Sequence, residues 1–198
     1  MSFKVISEFE NAVANFFGAP YGVAVDCCTH GVELALRHTH AKSITVPTRT
    51  YVSIPFLADK LSIGLNWTTE EWEDYYYLTP EVIDAAVLWK RNSYIPGTYM
   101  CLSFQFQKHL SLGRGGMILT DSEDAALALK KMSYDGRVPD IPWREQIIES
   151  MGYHYYMTPE TASMGMRKLP LAIEKVPKKW RINDWPDLTQ VVRLFKND

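Results

Sequence analysis

Residues 101–121, CLSFQFQKHLSLGRGGMILTD, place a single lysine between an aromatic-rich apolar run and a glycine-rich turn that leads into a second apolar run. The pattern predicts strands at TYMCLSFQF (98–106) and GGMILTD (115–121), each a short continuous apolar run next to turn residues. Lys108 falls just beyond the first strand, with Gly113, Arg114, Gly115 and Gly116 after it. Lysines mostly stay exposed. Taken by itself, Lys108 is either a solvated loop charge or the group for which the loop exists.

Upstream, Ser7-Glu8-Phe9-Glu10 fits a capping box with Ser7 as N-cap. It would open a helix, EFENAVANFF (8–17), that Gly18 and Pro20 end. YGVAVDC (21–27) predicts a short buried strand, THGVELALRH (29–38) a helix, and SITVP (43–47) a second strand. YVSIPFLADKL (51–61) predicts a helix interrupted near Pro55, and SIGLNW (62–67) a third strand. TTEEWEDYYYLTP (68–80) has no clear period, whereas EVIDAAVLW (81–89) predicts a buried strand running into a loop. Downstream, Ser122 caps EDAALALKKMSYDG (123–136), and Thr158-Pro159-Glu160 starts a helix with proline at its first position. DLTQVVRLF (187–195) has helical spacing inside an otherwise ambiguous 170–198. Short strands alternating with helices argue for an α/β fold in three layers with a mainly parallel central sheet. The expected organisation is one compact domain over 1–198, with 170–198 as an appendage.

With 198 residues the chain is long enough to bury a substantial core. Its 46% hydrophobic and 22% charged shares are those of a globular protein. A net charge of -2 leaves no basic stripe for phosphates along a duplex, so no nucleic acid is expected; KVPKKWR (175–181) reads as a solvated segment. No run of about 18 apolar residues spans a membrane, and the first residues lack a signal-peptide layout, so a cytoplasmic protein is expected. Cys27, Cys28 and Cys101 are odd in number and lack metal-ligand spacing. They read as buried reduced thiols, and no metal is expected.

Four features carry potential chemistry. Thr29 opens a helix after the strand VAVDCC, where a hydroxyl and free amides could hold a phosphate or simply cap the helix. Asp84 ends an apolar strand, marking either a structural ion pair or a ligand contact. Lys108 with a depressed pKa could condense with an aldehyde, and Ser103 lies five positions before it. Together these are parts that pyridoxal phosphate needs: an anchor for its phosphate, an acid for its pyridinium nitrogen and a Schiff-base lysine. Tyr51, in VPTRTYVS after the second strand, could stack on the ring.

With these parts in the chain order Thr29, Tyr51, Asp84, Lys108, the sequence resembles the DegT/DnrJ/StrS family of sugar aminotransferases, pyridoxal-phosphate enzymes of fold type I. FENAVANFFGAPYGVAVDCCTHGVELAL is similar to the family's opening, VPTRTYVS to its Pro-Thr-Phe-type segment and VIDAA to its acidic strand end. SFQFQKHLSLGRGGMILTD is the strongest match, being like the family's Ser-Phe-x-x-x-Lys stretch, glycine pair and strand. GYHYYMTPETASMGMRKL resembles a later segment that in the family reaches toward the partner subunit's site. The resemblance covers residues 7 to 170 and implies the large domain of such an enzyme, without most of the small C-terminal domain. It implies that Lys108 condenses with the cofactor, Asp84 pairs with its ring nitrogen, Thr29 and Ser103 hold its phosphate with help from the His30 amide, and Tyr51 stacks on it. The activity implied is transfer of an amino group from an amino-acid donor such as glutamate to a keto-sugar nucleotide or similar keto substrate, in a homodimer.

The sequence departs from the family's pattern at Val87, where a glutamine is usual, and at Arg114, where an acidic residue is usual. His154 and Tyr156 stand where an asparagine and an arginine are expected. Two alternatives follow: a cofactor- or sugar-binding homologue that has lost transamination, or a structural dimer without cofactor.

Overall fold

In the computed structural model, which describes residues 3–195, the first helix is α1 (Lys4–Phe17). It starts a turn before the expected capping box. Its apolar face already begins at Ile6, so Ser7 lies inside the helix, and Glu10 turns into the core instead of back to the N-terminus. There Glu10 accepts the Ala24 N–H at 2.9 Å and pairs with Lys130 at 2.7 Å. Gly18 ends α1 in the left-handed region at φ 79°, a conformation that glycine adopts without a Cβ penalty.

The chain continues through β1 (Tyr21–Val25), α2 (Cys28–His38), β2 (Ser43–Pro47), α3 (Ser53–Leu61) and β3 (Gly64–Thr68). Pro55 does not interrupt α3. It sits in the first turn, where its missing N–H breaks no helical bond. Then come β4 (Tyr76–Tyr77), β5 (Val82–Asp84), β6 (Tyr99–Ser103), β7 (Gly116–Thr120), α4 (Glu123–Ser133) and α5 (Pro159–Glu174). Ser122 caps α4 by accepting the Ala125 N–H, and Thr158 caps α5 by accepting the Thr161 N–H. The helical pattern in 187–195 becomes one turn, α6 (Leu188–Val191), and a 3-10 turn at Arg193–Phe195.

The central sheet has the order β1-β7-β6-β5-β4, with β2 and β3 forming a parallel pair beside it. β5 and β6 are parallel, and β7 is antiparallel to both β6 and β1. β1, β6 and β5 therefore share one direction, and β7 is the reversed strand among them. The reversal fits the 12-residue connection carrying Lys108, which holds no crossover helix of the kind that usually joins parallel neighbours. β4 is also antiparallel to β5, and the Thr45 N–H donates to the Leu78 carbonyl at 2.9 Å, joining β2 to this edge.

Both faces of the sheet are covered, so its strands are apolar without alternation. Ala24, Ile83, Met100, Leu102, Met117 and Leu119 pack on one side with Phe9, Val13 and Phe17 of α1 and Ala162 and Leu169 of α5. Val23, Val25, Val82, Cys101 and Ile118 pack on the other with Val32, Leu34 and Leu36 of α2 and Ala126 and Leu129 of α4. This is the three-layer α/β arrangement. Beyond α5 the chain returns across β2 and α3: Arg49 donates to the Trp185 carbonyl at 2.9 Å and the Leu188 N–H to the Thr48 carbonyl at 2.8 Å.

Candidate active site

The carboxyl ends of β1, β5 and β6 point to a cavity of about 510 Å³, the place where ligands gather in open α/β sheets. Thr29, Tyr51, Asp84, Ser103 and Lys108 all line it. His30 does not. Its backbone N–H faces the Cys27 Sγ at 3.5 Å, and its imidazole turns away to Asp26 and stacks on Tyr155 at 3.7 Å.

Each group is fixed by local structure. Cys27, in extended backbone, caps α2, which leaves Thr29 in the first turn, its hydroxyl 2.7 Å from that of Ser53. Ser103 is the last residue of β6 and its hydroxyl accepts the Gln105 N–H at 3.4 Å. The following loop folds on itself: Lys108 N–H donates to Gln105 O at 2.8 Å and Phe106 N–H to Gly113 O at 3.0 Å. Gly116, paired with Ser103, lies so close to the start of α2 that a Cβ there would meet Cys27 C and Cys28 N at 2.6 Å. Strand, loop and helix start thus close on one another at a position that admits only glycine.

Asp84 is 4% exposed. Its Oδ1 accepts the Ala86 N–H at 2.9 Å, and its Oδ2 accepts the Tyr76 hydroxyl at 2.7 Å. Burial raises its pKa, while the Tyr76 and Ala86 hydrogen bonds and the Lys108 charge oppose the rise. Burial likewise lowers the Lys108 pKa, opposed by Cys28 and Asp84. Acid and amine are therefore close enough for each to favour the other's charged form. The Lys108 ammonium lies 4.5 Å from the Trp180 ring centre and 5.5 Å from that of Trp185, which stack on one another. Trp185 also lines this cavity, and its Nε1 is buried without a hydrogen-bond partner.

Cys28 and Cys101 are buried, and burial pushes both thiols well up. Cys27 differs from expectation. It is half-buried, because the N-cap position sets it at the cavity wall. Asp26, Cys27 and His30 bring ligand-type atoms within 4.8 Å of one another, but Arg114 already supplies a cation there, 2.9 Å from Asp26 Oδ2.

Val87 lines the cavity, whereas His154 and Tyr156 are engaged within the chain. His154 Nδ1 lies 3.0 Å from Asp135 Oδ2, and the Tyr156 ring packs edge-on against Tyr134. Sequence reasoning missed Tyr76, Trp180 and Trp185, which came from stretches without a readable period. The one available signal was their aromatic density.

The fold is similar to that of several solved structures. It is similar to AtS13 from Actinomadura melliaura, with a TM-score of 0.72 and 17% identity over 88% of this chain and 61% of that one. It is similar to the sugar aminotransferase CalS13 from Micromonospora echinospora, with a TM-score of 0.68 and 16% identity over 86% of this chain and 61% of that one. Spr1654 from Streptococcus pneumoniae, in its PLP form, gives a TM-score of 0.70 and 16% identity over 84% of this chain and 59% of that one. At these identities the likeness is one of fold, and the chain spans about 60% of the length of each. A comparison with curated proteins gave no match.

The family follows from the sequence itself. The model of the DegT/DnrJ/EryC1/StrS aminotransferase family matches residues 1–96 and 91–184, and the chain belongs to that family. Among the described residues no helix is long and apolar enough to cross a membrane.

Proposed function

We propose that the chain binds pyridoxal 5'-phosphate at Lys108 and transfers an amino group from an amino-acid donor such as glutamate to a keto-sugar nucleotide or a similar keto substrate, as a homodimer in the cytoplasm. The observation that carries this reading is the convergence of Lys108, Asp84, Thr29, Ser103 and Tyr51, distant in sequence, on one cavity. The residues suit the group: an amine for its aldehyde, a buried carboxylate for its ring nitrogen, hydroxyls beside a helix start for its phosphate, and an aromatic ring at the wall.

When bound, pyridoxal phosphate supplies the electron-withdrawing ring that stabilises a carbanion beside it. The chain's part is acid–base work and placement. Burial lowers the Lys108 pKa and raises the share of neutral amine, the form that attacks a carbonyl. The same Nζ, once free, moves a proton at the substrate carbon. Asp84, its two oxygens already oriented by Ala86 and Tyr76, offers its remaining lone pairs to a ring N–H. Thr29 and Ser103 would offer hydroxyls to the phosphate, and the stacked Trp180 and Trp185 rings cover one side of the amine.

The test is addition of pyridoxal 5'-phosphate to the purified protein, followed by borohydride and peptide mapping. The expected result is a yellow protein labelled at Lys108 and a colourless, unlabelled Lys108→Ala variant; the same label in Lys108→Ala overturns the reading. A cofactor-binding homologue without turnover is the second reading. It is favoured by the pairing of His154 with Asp135, at a position where the resemblance expects an asparagine. A labelled protein whose colour no amino donor bleaches selects it.

A further inference from the structure

The carboxylate at the centre of this site does not stand alone. Tyr76 lies 8% exposed on β4, and its hydroxyl is 2.7 Å from Asp84 Oδ2 and 2.7 Å from Thr50 Oγ1. An ionised carboxylate only accepts hydrogen bonds. The phenol's one proton is thus committed to Asp84, and the Thr50 hydroxyl must donate to the phenol oxygen. The result is a directed chain, Thr50 to Tyr76 to Asp84, running from the loop after β2, through β4, to the end of β5. Thr50 is 3% exposed, so no member of the chain is open to bulk water. Its geometry depends on the antiparallel β4–β5 pairing, in which Tyr76 stands opposite Asp84.

We propose that Tyr76 is a positioning residue: it aims the Asp84 carboxylate at the cavity and holds it ionised through a hydroxyl relay that starts at Thr50. This rests on the cofactor reading above for its use, although the relay itself is made by the chain's own residues. A buried carboxylate left without donors reverts toward its neutral form. The Ala86 N–H serves only one oxygen, so Tyr76 governs the other. The remaining groups that face Asp84 are Cys28 of α2, Cys101 of β6 and Lys108 beyond β6. Both thiols are pushed well up by burial and stay neutral near neutral pH, and Lys108 favours the carboxylate. Tyr76 is itself pushed well above the usual phenol range by burial, with the Asp84 charge adding to the rise, so it remains a donor throughout.

The experiment compares the chain with Tyr76→Phe, which keeps the buried ring, and with Thr50→Val, which removes the relay's first donor. The ionisation of Asp84 is followed by carboxyl-carbon NMR in the cofactor-free protein, and pyridoxal 5'-phosphate affinity is titrated separately. A hydrogen bond to a charged group has a net worth that predicts a rise of about one unit in the Asp84 midpoint and about tenfold weaker binding in Tyr76→Phe. Thr50→Val moves both the same way by less. An unchanged Asp84 midpoint in a folded Tyr76→Phe protein overturns the proposal. If Tyr76→Phe does not fold, an unchanged midpoint in Thr50→Val overturns it. A shifted midpoint in a chain that binds no pyridoxal 5'-phosphate leaves the relay standing and removes the cofactor reading. Binding that is unaffected by Tyr76→Phe, despite a shifted midpoint, shows that Asp84 does not act on the cofactor through Tyr76 and also overturns the proposal.

Discussion

In the lysine loop, two five-residue strands pair in register from Met100–Leu119 to Ser103–Gly116, with every residue of β7 buried. In the segments that close over the same cavity, residues 69–80 and 175–195, regular structure amounts to a two-residue strand, one helical turn and short 3-10 turns. The first region positions its side chains through a ladder. Apart from the short β4–β5 pairing that places Tyr76, the second does so through single bonds: Trp72 Nε1 to Arg49 O at 2.9 Å, Arg49 to Trp185 O at 2.9 Å, and Leu188 N–H to Thr48 O at 2.8 Å. Both line one cavity, yet only the first is held by cooperative packing across two cores. The frame is therefore expected to open globally and the cover locally.

The largest effect should fall on the frame. Gly116→Ala forces a Cβ against the backbone of Cys27 and Cys28, which are fixed by the start of α2. Overpacking of this kind costs about 1–3 kcal/mol or more, so the urea midpoint should fall clearly and cofactor binding with it. In the cover, Trp185→Ala loses the stack on Trp180, the edge contact to Tyr51 and the tilted contact to Trp72. Aromatic pairs contribute about 0.5–1.5 kcal/mol beyond their area, so its midpoint should fall by less than that of Gly116→Ala. Protease cleavage within 175–195 should speed up while β6 and β7 stay protected. A midpoint loss in Trp185→Ala equal to that in Gly116→Ala would make the cover part of the frame and erase the distinction.

The same division explains what the sequence revealed. The strand and helix periods at 21–25, 28–38, 99–103 and 116–120 were legible because burial on both faces demands apolar runs there. Thr29 and Ser103 sit at the ends of those elements and Asp84 at the end of β5, with Tyr51 and Lys108 in the loops after β2 and β6, and for that reason the sequence pattern could single them out. Tyr76 was hidden because a two-residue strand has no period, and its contact to Asp84 is made by pairing, not by spacing. The helix start at Lys4 was misread because Ser7 and Glu10 satisfy the capping pattern locally, while the buried bond from Ala24 to Glu10 is visible only in three dimensions. The part expected of the His30 amide was no easier to read, because the contact of that N–H with Cys27 Sγ, like the stacking of the imidazole on Tyr155, is visible only in three dimensions.

His30 also marks the seam between the two kinds of region, since it belongs to α2 and stacks on a residue from the irregular stretch before α5. Burial alone would lower its pKa, but hydrogen bonds to Asp26 and Cys27 carry it up to about 9 from 6.5. A base whose folded pKa is raised contributes stability that is fully present below its unfolded value and is lost as pH rises through the folded one. The window here runs from about pH 6.5 to 9. His30 is only partly buried and its partner Asp26 is similarly accessible, so solvent screening keeps the effect the smallest of the set. The difference in urea midpoint between the parent chain and His30→Gln should shrink steadily across that window. A Cys27→Ser variant is the control, because the thiol faces the same backbone N–H. If the pH dependence persists in His30→Gln and vanishes in Cys27→Ser, the seam is held by the N-cap of the frame, and the imidazole contributes only its stack on Tyr155.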